Sequence, residues 1–472
     1  MPRFFGTDGV RGVAGKDLSS AMAFVLGEAA VELLGPRLVV GRDTRASGPM
    51  LEAALIAGIS SAGGLALLAG IIPTPAIALL TRELAACGGV VISASHNPPE
   101  YNGIKFFDAE GFKLTAELED AFEARLQERC GRSPAPDAPG SCPAPDAPGS
   151  CPGSEAPGSC PAPDDSQGAA ASTLVVEDAL ERYVRHVVGI IRSQGLDFEG
   201  LRVAVDCGHG ASFAATPEAL RRLGATVVAI NTDFDGSDIN VACGSTCLGP
   251  LRELVGATGA DLGIAHDGDA DRVLAVDENG DDLDGDFIEA ICAIDLKERG
   301  RLAHDTVVTT TMCNLGFVTA MTERHLEVVQ TDVGDSHVLA AMREGGFTLG
   351  GEQSGHMIFL EHNSTGDGLA TALCLLAAMR RSGKPLSRLR QLMTRYPQVL
   401  INVEVANRAA LESSVTVARA LLQARERLKG QGRILVRPSG TEPLIRVMVE
   451  ARDEQSAHEE AQRLASIIRQ EL

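Results

Sequence analysis

Several short polar strings in this chain carry residue types and spacings suited to phosphate chemistry. SASHNPPEYNGIK (93–105) leaves the end of an apolar run, so Ser95 sits where a nucleophile or phosphoryl carrier would be presented. His96 follows it, Pro98 and Pro99 stiffen the turn, Asn102-Gly103 permits unusual backbone angles, and Lys105 returns a cation. HDGDADR (266–272) places Asp267, Asp269 and Asp271 at alternate positions, which turns three carboxylates to one side of an extended loop. Carboxylates that close repel one another unless a hard cation neutralises them. An EF-hand competes for this loop because Glu278 falls at its twelfth position, but Arg272 stands at the sixth, where that turn requires Gly. Magnesium is therefore preferred to calcium.

Two further strings are anion- or sugar-binding candidates. GGEQSGH (350–356) offers Glu352 and Ser354 between glycines, suited to sugar hydroxyls. RPSGTEPLIR (437–446) offers hydroxyls and close N–H donors at Ser439, Gly440 and Thr441, with fixed charge at Arg437 and Arg446. That composition suits a cradle for a phosphate that is not being transferred. No Walker A string and no G-x-S-x-G elbow occurs. FGTDGVRG (5–12) and VVGRDTRASG (39–48) add Arg11, Arg42 and Arg45 near strand ends, where ordinary ion pairs such as Arg42 with Asp43 would explain the latter two.

The elements that must position these loops alternate along the chain. Strand-like runs at 37–40, 65–68 and 88–92 alternate with helix-like runs at 48–62 and 75–86; after residue 175 strands at 202–206, 226–230 and 261–265 resume the pattern. The expected fold class is α/β: three related α/β domains with mixed sheets, then a C-terminal α+β domain, around a central cleft. Expected boundaries are 1–175, 176–300, 301–396 and 397–472, with helices at 409–427 and 454–470 in the last. Residues 131–172 are a nine-residue near-repeat rich in Pro, Ala, Gly and Ser, ending at Cys142, Cys151 and Cys160. Such a segment cannot recover its ordering entropy by burial and is expected to be a disordered surface insertion.

Bulk properties narrow the partners. The 472 residues exceed one ordinary core, and 44% hydrophobic with 22% charged residues is globular usage. With no Trp, 3 Tyr and a formal charge of −21, stacking on bases and binding to nucleic acid are disfavoured. Residues 53–81 carry one charge-free stretch, but Gly58, Gly63, Gly64, Gly70, Pro73 and Pro75 cut it into helix and strand pieces rather than a membrane span. MPRFFGTDGVRG lacks an apolar targeting region. The expected setting is the cytoplasm, with neither membrane nor nucleic acid as partner. Most of the eleven cysteines are scattered and read as buried thiols; Cys243 and Cys247 lack a second pair for zinc.

The order SASHNP, DGDADR, GEQSGH, RPSGTEP resembles the α-D-phosphohexomutase superfamily over nearly the whole chain except the insertion. FGTDGVRG, TTTMCNLGF, Gln353 and NSTGDG (363–368) resemble its phosphoglucosamine mutase branch. The resemblance implies an isomerase, an intramolecular phosphotransferase that is phosphorylated at Ser95. It implies one Mg²⁺ per chain held by the Ser95 phosphate, Asp267, Asp269 and Asp271, and a sugar 1,6-bisphosphate as intermediate and activator. Glucosamine-6-phosphate and glucosamine-1-phosphate are the implied substrate and product, feeding amino-sugar nucleotide and cell-wall precursor synthesis. Lys105 is the candidate base, with His96, Arg11 and Arg272 completing the catalytic set and His337 as a further electrostatic helper. Glu352 and Ser354 would read the sugar; Arg437, Ser439, Gly440, Thr441 and Arg446 would hold the other phosphate. A mannose or glucose phosphate mutase, a non-catalytic sugar-phosphate binder and a phosphatase are the competing readings. Oligomeric state is not written in the sequence; a homodimer is the expectation carried forward.

Overall fold

The computed structural model describes residues 4–6, 9–130, 173–405, 407–411, 413–430, 432–438 and 444–472. The repeat insertion and the three cradle residues Ser439, Gly440 and Thr441 lie outside the described residues.

Four sheets follow one another. The first has seven strands in the order Phe5–Gly6, Gly9–Val13, Tyr101–Phe107, Gly88–Ile92, Arg37–Arg42, Leu65–Ile71 and Thr173–Val175. Its last four strands run parallel, and Tyr101–Phe107 lies antiparallel to Gly88–Ile92. The second sheet joins Leu262–His266, Arg202–Asp206 and Thr226–Ile230 in parallel, with an antiparallel edge from Val273–Asp277 and Asp282–Leu283. A tight turn at Glu278-Asn279-Gly280 makes that edge, with Gly280 at φ 89°. The third sheet joins Glu327–Thr331, Thr306–Thr310 and Leu349–Gly351 in parallel and adds antiparallel Met357–Phe359. The fourth, Gln398–Glu404, Leu444–Ala451 and Gly432–Pro438, is wholly antiparallel. This is the expected class: mixed α/β units, then α+β.

Burial divides the molecule differently from the sheet count. One apolar cluster runs from Val39 and Leu67 through Tyr183, Val205 and Ile264 to Phe317, Leu373 and Met393, so the first three units share a continuous core. Helix Ala179–Arg192 is the clearest contributor. Tyr183, Val184, Val187, Val188 and Ile191 fall on one face at helical spacing and are buried. The fourth unit has its own core from Val403 and Val417 to Leu464 and Ile468.

The charge-free stretch resolves into helix Gly48–Ser61, strand Leu65–Ile71 and helix Thr74–Glu83. Among the described residues no helix is long and apolar enough to cross a membrane. The expected helix over 409–427 is shorter: a 3-10 turn spans Arg408–Leu411, and the helix begins at Val415. Ser414 decides that start, because its hydroxyl accepts from Val417 N and satisfies a donor that the helix leaves unpaired. Burial pushes the Cys207, Cys243, Cys313 and Cys374 thiols up to about 12, so these cysteines are protonated packing residues.

NSTGDG acts as a rivet. Asn363 Nδ2 donates to Pro75 O at 3.0 Å, and Ser364 Oγ donates to Gly111 O, both in the first unit. Asp367 caps helix Gly368–Ser382 and accepts from Tyr183 Oη of the second unit at 2.7 Å. Tyr183→Phe removes that buried donor while Asp367 keeps its capping bond to Ala370 N. We expect a loss of about 1–2 kcal/mol in urea unfolding with an unchanged far-UV spectrum.

Candidate active site

Two loops leave the carboxyl ends of strands in different units and meet. Strand Gly88–Ile92 delivers Ser95, and strand Leu262–His266 delivers Asp267, Asp269 and Asp271. Ser95 is 1% exposed, and its hydroxyl donates to Asp267 Oδ2 at 2.6 Å. The contact requires very close backbones. A Cβ on Gly268 would lie 2.8 Å from Ser95 O, so no larger residue fits there without movement. Thr74, at the start of its helix in the first unit, anchors the aspartate loop: its hydroxyl donates to Asp269 Oδ2 at 2.7 Å and its N–H to Asp269 O.

Ser95 itself adopts φ +52°, the left-handed region that costs a non-glycine residue about 1–2 kcal/mol. The surrounding bonds hold it there. Arg45, fully buried, donates to the carbonyls of Ser95, Asn97, Pro98 and Tyr101 and pairs with Asp43 at 2.9 Å. Asp43 Oδ2 also accepts from Ser93 Oγ, which in turn accepts from Ser95 N. From the second unit, Asn240 Nδ2 donates to Ser95 O at 2.8 Å and Asn97 O at 3.2 Å. Arg45 is thus the clamp of the serine loop, whereas Arg42 pairs with Glu52 rather than with Asp43.

The three aspartates each present an oxygen within 4.8 Å of the others. Asp269 Oδ1 and Asp271 Oδ1 are buried with no hydrogen-bond partner. Burial, then repulsion from Asp271 and Asp269, pushes the Asp267 carboxyl well above the usual range. Burial works against the Asp271 charge too, but Lys105, His356 and Arg272 outweigh it and hold that carboxyl low. An all-oxygen set with orphaned lone pairs fits a hard divalent cation such as Mg²⁺, with Ser95 Oγ alongside. It is the one such group of three among the described residues; Cys243 and Cys247 join none.

The other expected residues are distributed as follows. Lys105 Nζ lies 2.9 Å from Asp269 Oδ2 and 3.4 Å from Asp271 Oδ2. Arg272 donates its N–H to Asp267 Oδ1, and its Nε lies 3.8 Å from Asp271. His96 Nδ1 is 3.4 Å from Ser95 Oγ; desolvation, then the charges of Arg272 and Arg11, push its pKa down to about 4, so the ring is neutral at physiological pH. Arg11 sits on strand Gly9–Val13 opposite Gly103, beside the returning arm of the serine loop. In the third unit, Glu352 Oε1 accepts from Gly334 N, and Ser354 Oγ is buried with no protein partner among the described residues. Arg437 and Arg446 face each other across adjacent strands of the fourth unit.

His337 does not join the cluster. It lines an open cavity of about 700 Å³ between the first and third units, with Phe5, Lys113, Ser336 and Arg343. Asp335, two residues earlier, is the side chain that this segment sends inward: it lies 3.4 Å from His356 Nε2 and pairs with Lys113. Sequence reasoning missed His356, Asp335, Lys113 and Asn240. His356 closes GGEQSGH, and a titratable ring ending a glycine-flanked loop was the available signal; the others had none.

The comparisons with known proteins agree with this geometry. The phosphoglucomutase/phosphomannomutase models for α/β/α domains I, II and III and for the C-terminal domain match residues 2–130, 181–280, 284–396 and 400–467. The phosphoglucosamine mutase of Symbiobacterium thermophilum is 49% identical over 479 residues, covering 100% of both chains. The chain belongs to the phosphoglucosamine mutase family. The Thermobifida fusca member is 47% identical, covering 100% of this chain and 99% of its own. Among solved structures, a Burkholderia thailandensis phosphoglucomutase/phosphomannomutase family protein superposes with a TM-score of 0.74 at 24% identity, covering 98% of this chain and 97% of its own. The Aspergillus fumigatus N-acetylphosphoglucosamine mutase, solved with GlcNAc-6P and magnesium, gives 0.66 at 18% identity over 100% and 96%. These two likenesses concern the fold.

Asn240 has φ +62°, which glycine adopts without penalty. Asn240→Gly therefore keeps the backbone and deletes the donor shared by Ser95 O and Asn97 O. Steady-state kinetics should show kcat reduced about tenfold or more, with KM within about twofold.

Proposed function

We propose that this member of the family interconverts glucosamine-6-phosphate and glucosamine-1-phosphate through a phosphorylated Ser95 and a sugar 1,6-bisphosphate. The observation that carries the reading is the Ser95 hydroxyl, 2.6 Å from Asp267 inside a buried carboxylate triplet. Asp267, Asp269 and Asp271, with the Ser95 phosphate, would hold one Mg²⁺, which neutralises phosphate charge and polarises the ester oxygen when bound.

The chain's own residues then do the positioning that phosphoryl transfer chiefly demands. Arg45 and Asn240 fix the serine backbone. Lys105, Arg272 and Arg11 surround the transfer position with positive charge, and neutral His96 flanks the serine oxygen. Lys105 is the proposed acceptor of the attacking hydroxyl's proton: it sheds its ammonium proton before the sugar hydroxyl attacks and regains its charge as it takes that proton. Glu352 and the unpartnered Ser354 Oγ are the proposed readers of the sugar hydroxyls. Arg437 and Arg446, with Ser439, Gly440 and Thr441, are the proposed cradle for the phosphate that stays. The bisphosphate must turn end for end between the two half-reactions, so one cradle serves each phosphate in turn. Burial of Ser95 limits its hydrolysis, which separates a mutase from a phosphatase. The Aspergillus fumigatus enzyme has also been solved, as a serine-to-alanine variant, with glucose 1,6-bisphosphate. That supports a bisphosphate for this chain as well.

The test combines two readouts. Incubation with glucose 1,6-bisphosphate and Mg²⁺ should add one phosphate to the peptide bearing Ser95, and ³¹P NMR should then follow glucosamine-6-phosphate becoming glucosamine-1-phosphate. Ser95→Ala should lose at least a thousandfold in turnover while calorimetry still shows sugar-phosphate binding. Faster turnover of glucose-1-phosphate than of the amino sugar would move the substrate assignment. Phosphate on another residue would end the serine mechanism. Chelation by EDTA should abolish turnover, and Mg²⁺ should restore it.

A further inference from the structure

Asp286 is a buried acid that the reaction above does not use. It sits in the first turn of helix Gly285–Glu298, is 0% exposed, and leaves Oδ1 without a hydrogen-bond partner. Burial, then the neighbouring Asp284, pushes its carboxyl up to about 8. A group so costly to bury calls for a compensating role.

Its other oxygen stands at a junction. Asp286 Oδ2 accepts from Gln353 Nε2 at 3.0 Å and from Asn314 N at 2.8 Å. Gln353 lies between the two proposed sugar readers, Glu352 and Ser354. The helix start also touches that loop through its backbone: Gly285 N donates to Gln353 O at 3.0 Å, and a Cβ on Gly285 would fall 2.0 Å from Glu352 O. Gln353 therefore reaches down to the helix, and its loop rests on it.

Asn314 leads the other way. Its side chain brackets Tyr396, accepting from Tyr396 N at 2.9 Å and donating to Tyr396 O at 3.0 Å. Tyr396 lies two residues before strand Gln398–Glu404, the entry to the fourth unit. Asn314 Nδ2 also donates to Glu450 Oε1 of that unit, and Glu450 accepts from Leu315 N and from Arg433. Arg433 closes the junction by donating to Thr311 O and Cys313 O. One unbroken path thus runs from Gln353 through Asp286, Asn314 and Glu450 to Arg433.

We propose that Asp286 is a positioning residue that couples the sugar-reading loop to the hinge of the phosphate-holding C-terminal unit, so that sugar reading and phosphate capture act as one event. The inference rests on the functional reading above, which assigns the two ends their ligands. Separate cores supply the freedom such coupling needs, because among the described residues the fourth unit shares no apolar cluster with the other three.

The test is a mutant cycle on glucosamine-6-phosphate, read both as kcat/KM and as calorimetric Kd. Gln353→Ala and Arg433→Ala cut the two ends. Together they should cost about fivefold less than the product of their separate effects. In an Asp286→Ala background the two effects should simply multiply. Asp286→Asn should restore the coupling, because its carbonyl can accept both bonds that Oδ2 accepts now. Asn314→Ala, which cuts the path one link further on, serves if Asp286→Ala does not fold. Multiplicative effects in the unmodified background, or coupling that survives Asp286→Ala or its Asn314→Ala substitute, would overturn the proposal. The Kd arm distinguishes the two ideas: an unmodified chain without turnover sinks the mutase reading, whereas turnover without coupling sinks this one.

Discussion

A serine hydroxyl and three carboxylates are buried side by side, and the cost of keeping them there shapes the architecture around them. Each carboxylate repels the other two, and burial penalises all three. No local sequence preference would assemble such a group. The fold imposes it by running two loops off the ends of strands in separate sheets, then pinning both with Thr74, Arg45 and Asn240. Strain at Ser95 belongs to the same account. A left-handed serine persists because donors from two units grip its carbonyl, and the same grip aims its oxygen at Asp267.

That origin explains what the sequence disclosed and what it hid. Ser95 and the aspartates were legible because each set lies within one loop at a strand end, where residue type, spacing and position agree. Asn240 was not, because its partner is 145 residues away and nothing around Asn240 advertises a donor for a distant carbonyl. Arg45 was visible as a charge, yet an ordinary ion pair of the kind expected for Arg42 with Asp43 sufficed to explain it; only the buried loop carbonyls reveal a clamp. Asp335 and His337 sit two residues apart, and chemistry alone favoured the histidine. Helix phase decides instead, sending the aspartate to His356 and the histidine to a cavity wall. Element order was largely readable because apolar periodicity is local. The start of the helix at Val415 was misjudged because a single serine cap outweighed a longer helical pattern.

The continuous core under the first three sheets has a consequence for catalysis. Loops carried on one packed body keep their separations, so Ser95, the aspartates and the Glu352 loop form a fixed frame. NSTGDG reinforces that frame from beneath, with buried bonds reaching all three units. The C-terminal unit is built on its own core and meets the frame through the polar junction of Asn314, Glu450 and Arg433. An enzyme that must turn its intermediate around needs both properties: a rigid place for the chemistry and a cradle that can release and grip again.

Charge distribution assigns the cradle a further task. A chain of formal charge −21 repels a sugar phosphate, and physiological salt confines that repulsion to roughly 8 Å from the surface. Attraction must therefore come from cations at contact range. Arg11, Lys105 and Arg272 stand in the fixed frame, but Lys105 and Arg272 already answer to the aspartates. Arg437 and Arg446 stand opposite each other on the separate unit. On the proposed function, delivering that second pair with a moving unit would let positive charge close over a substrate already seated and withdraw when the product leaves. Permanent placement of the same charges in the frame would hold a dianionic product as firmly as it held the substrate. On the proposed function, placing Arg437 and Arg446 on a unit with its own core answers the need to bind a phosphate twice in every cycle, once at each end of the sugar.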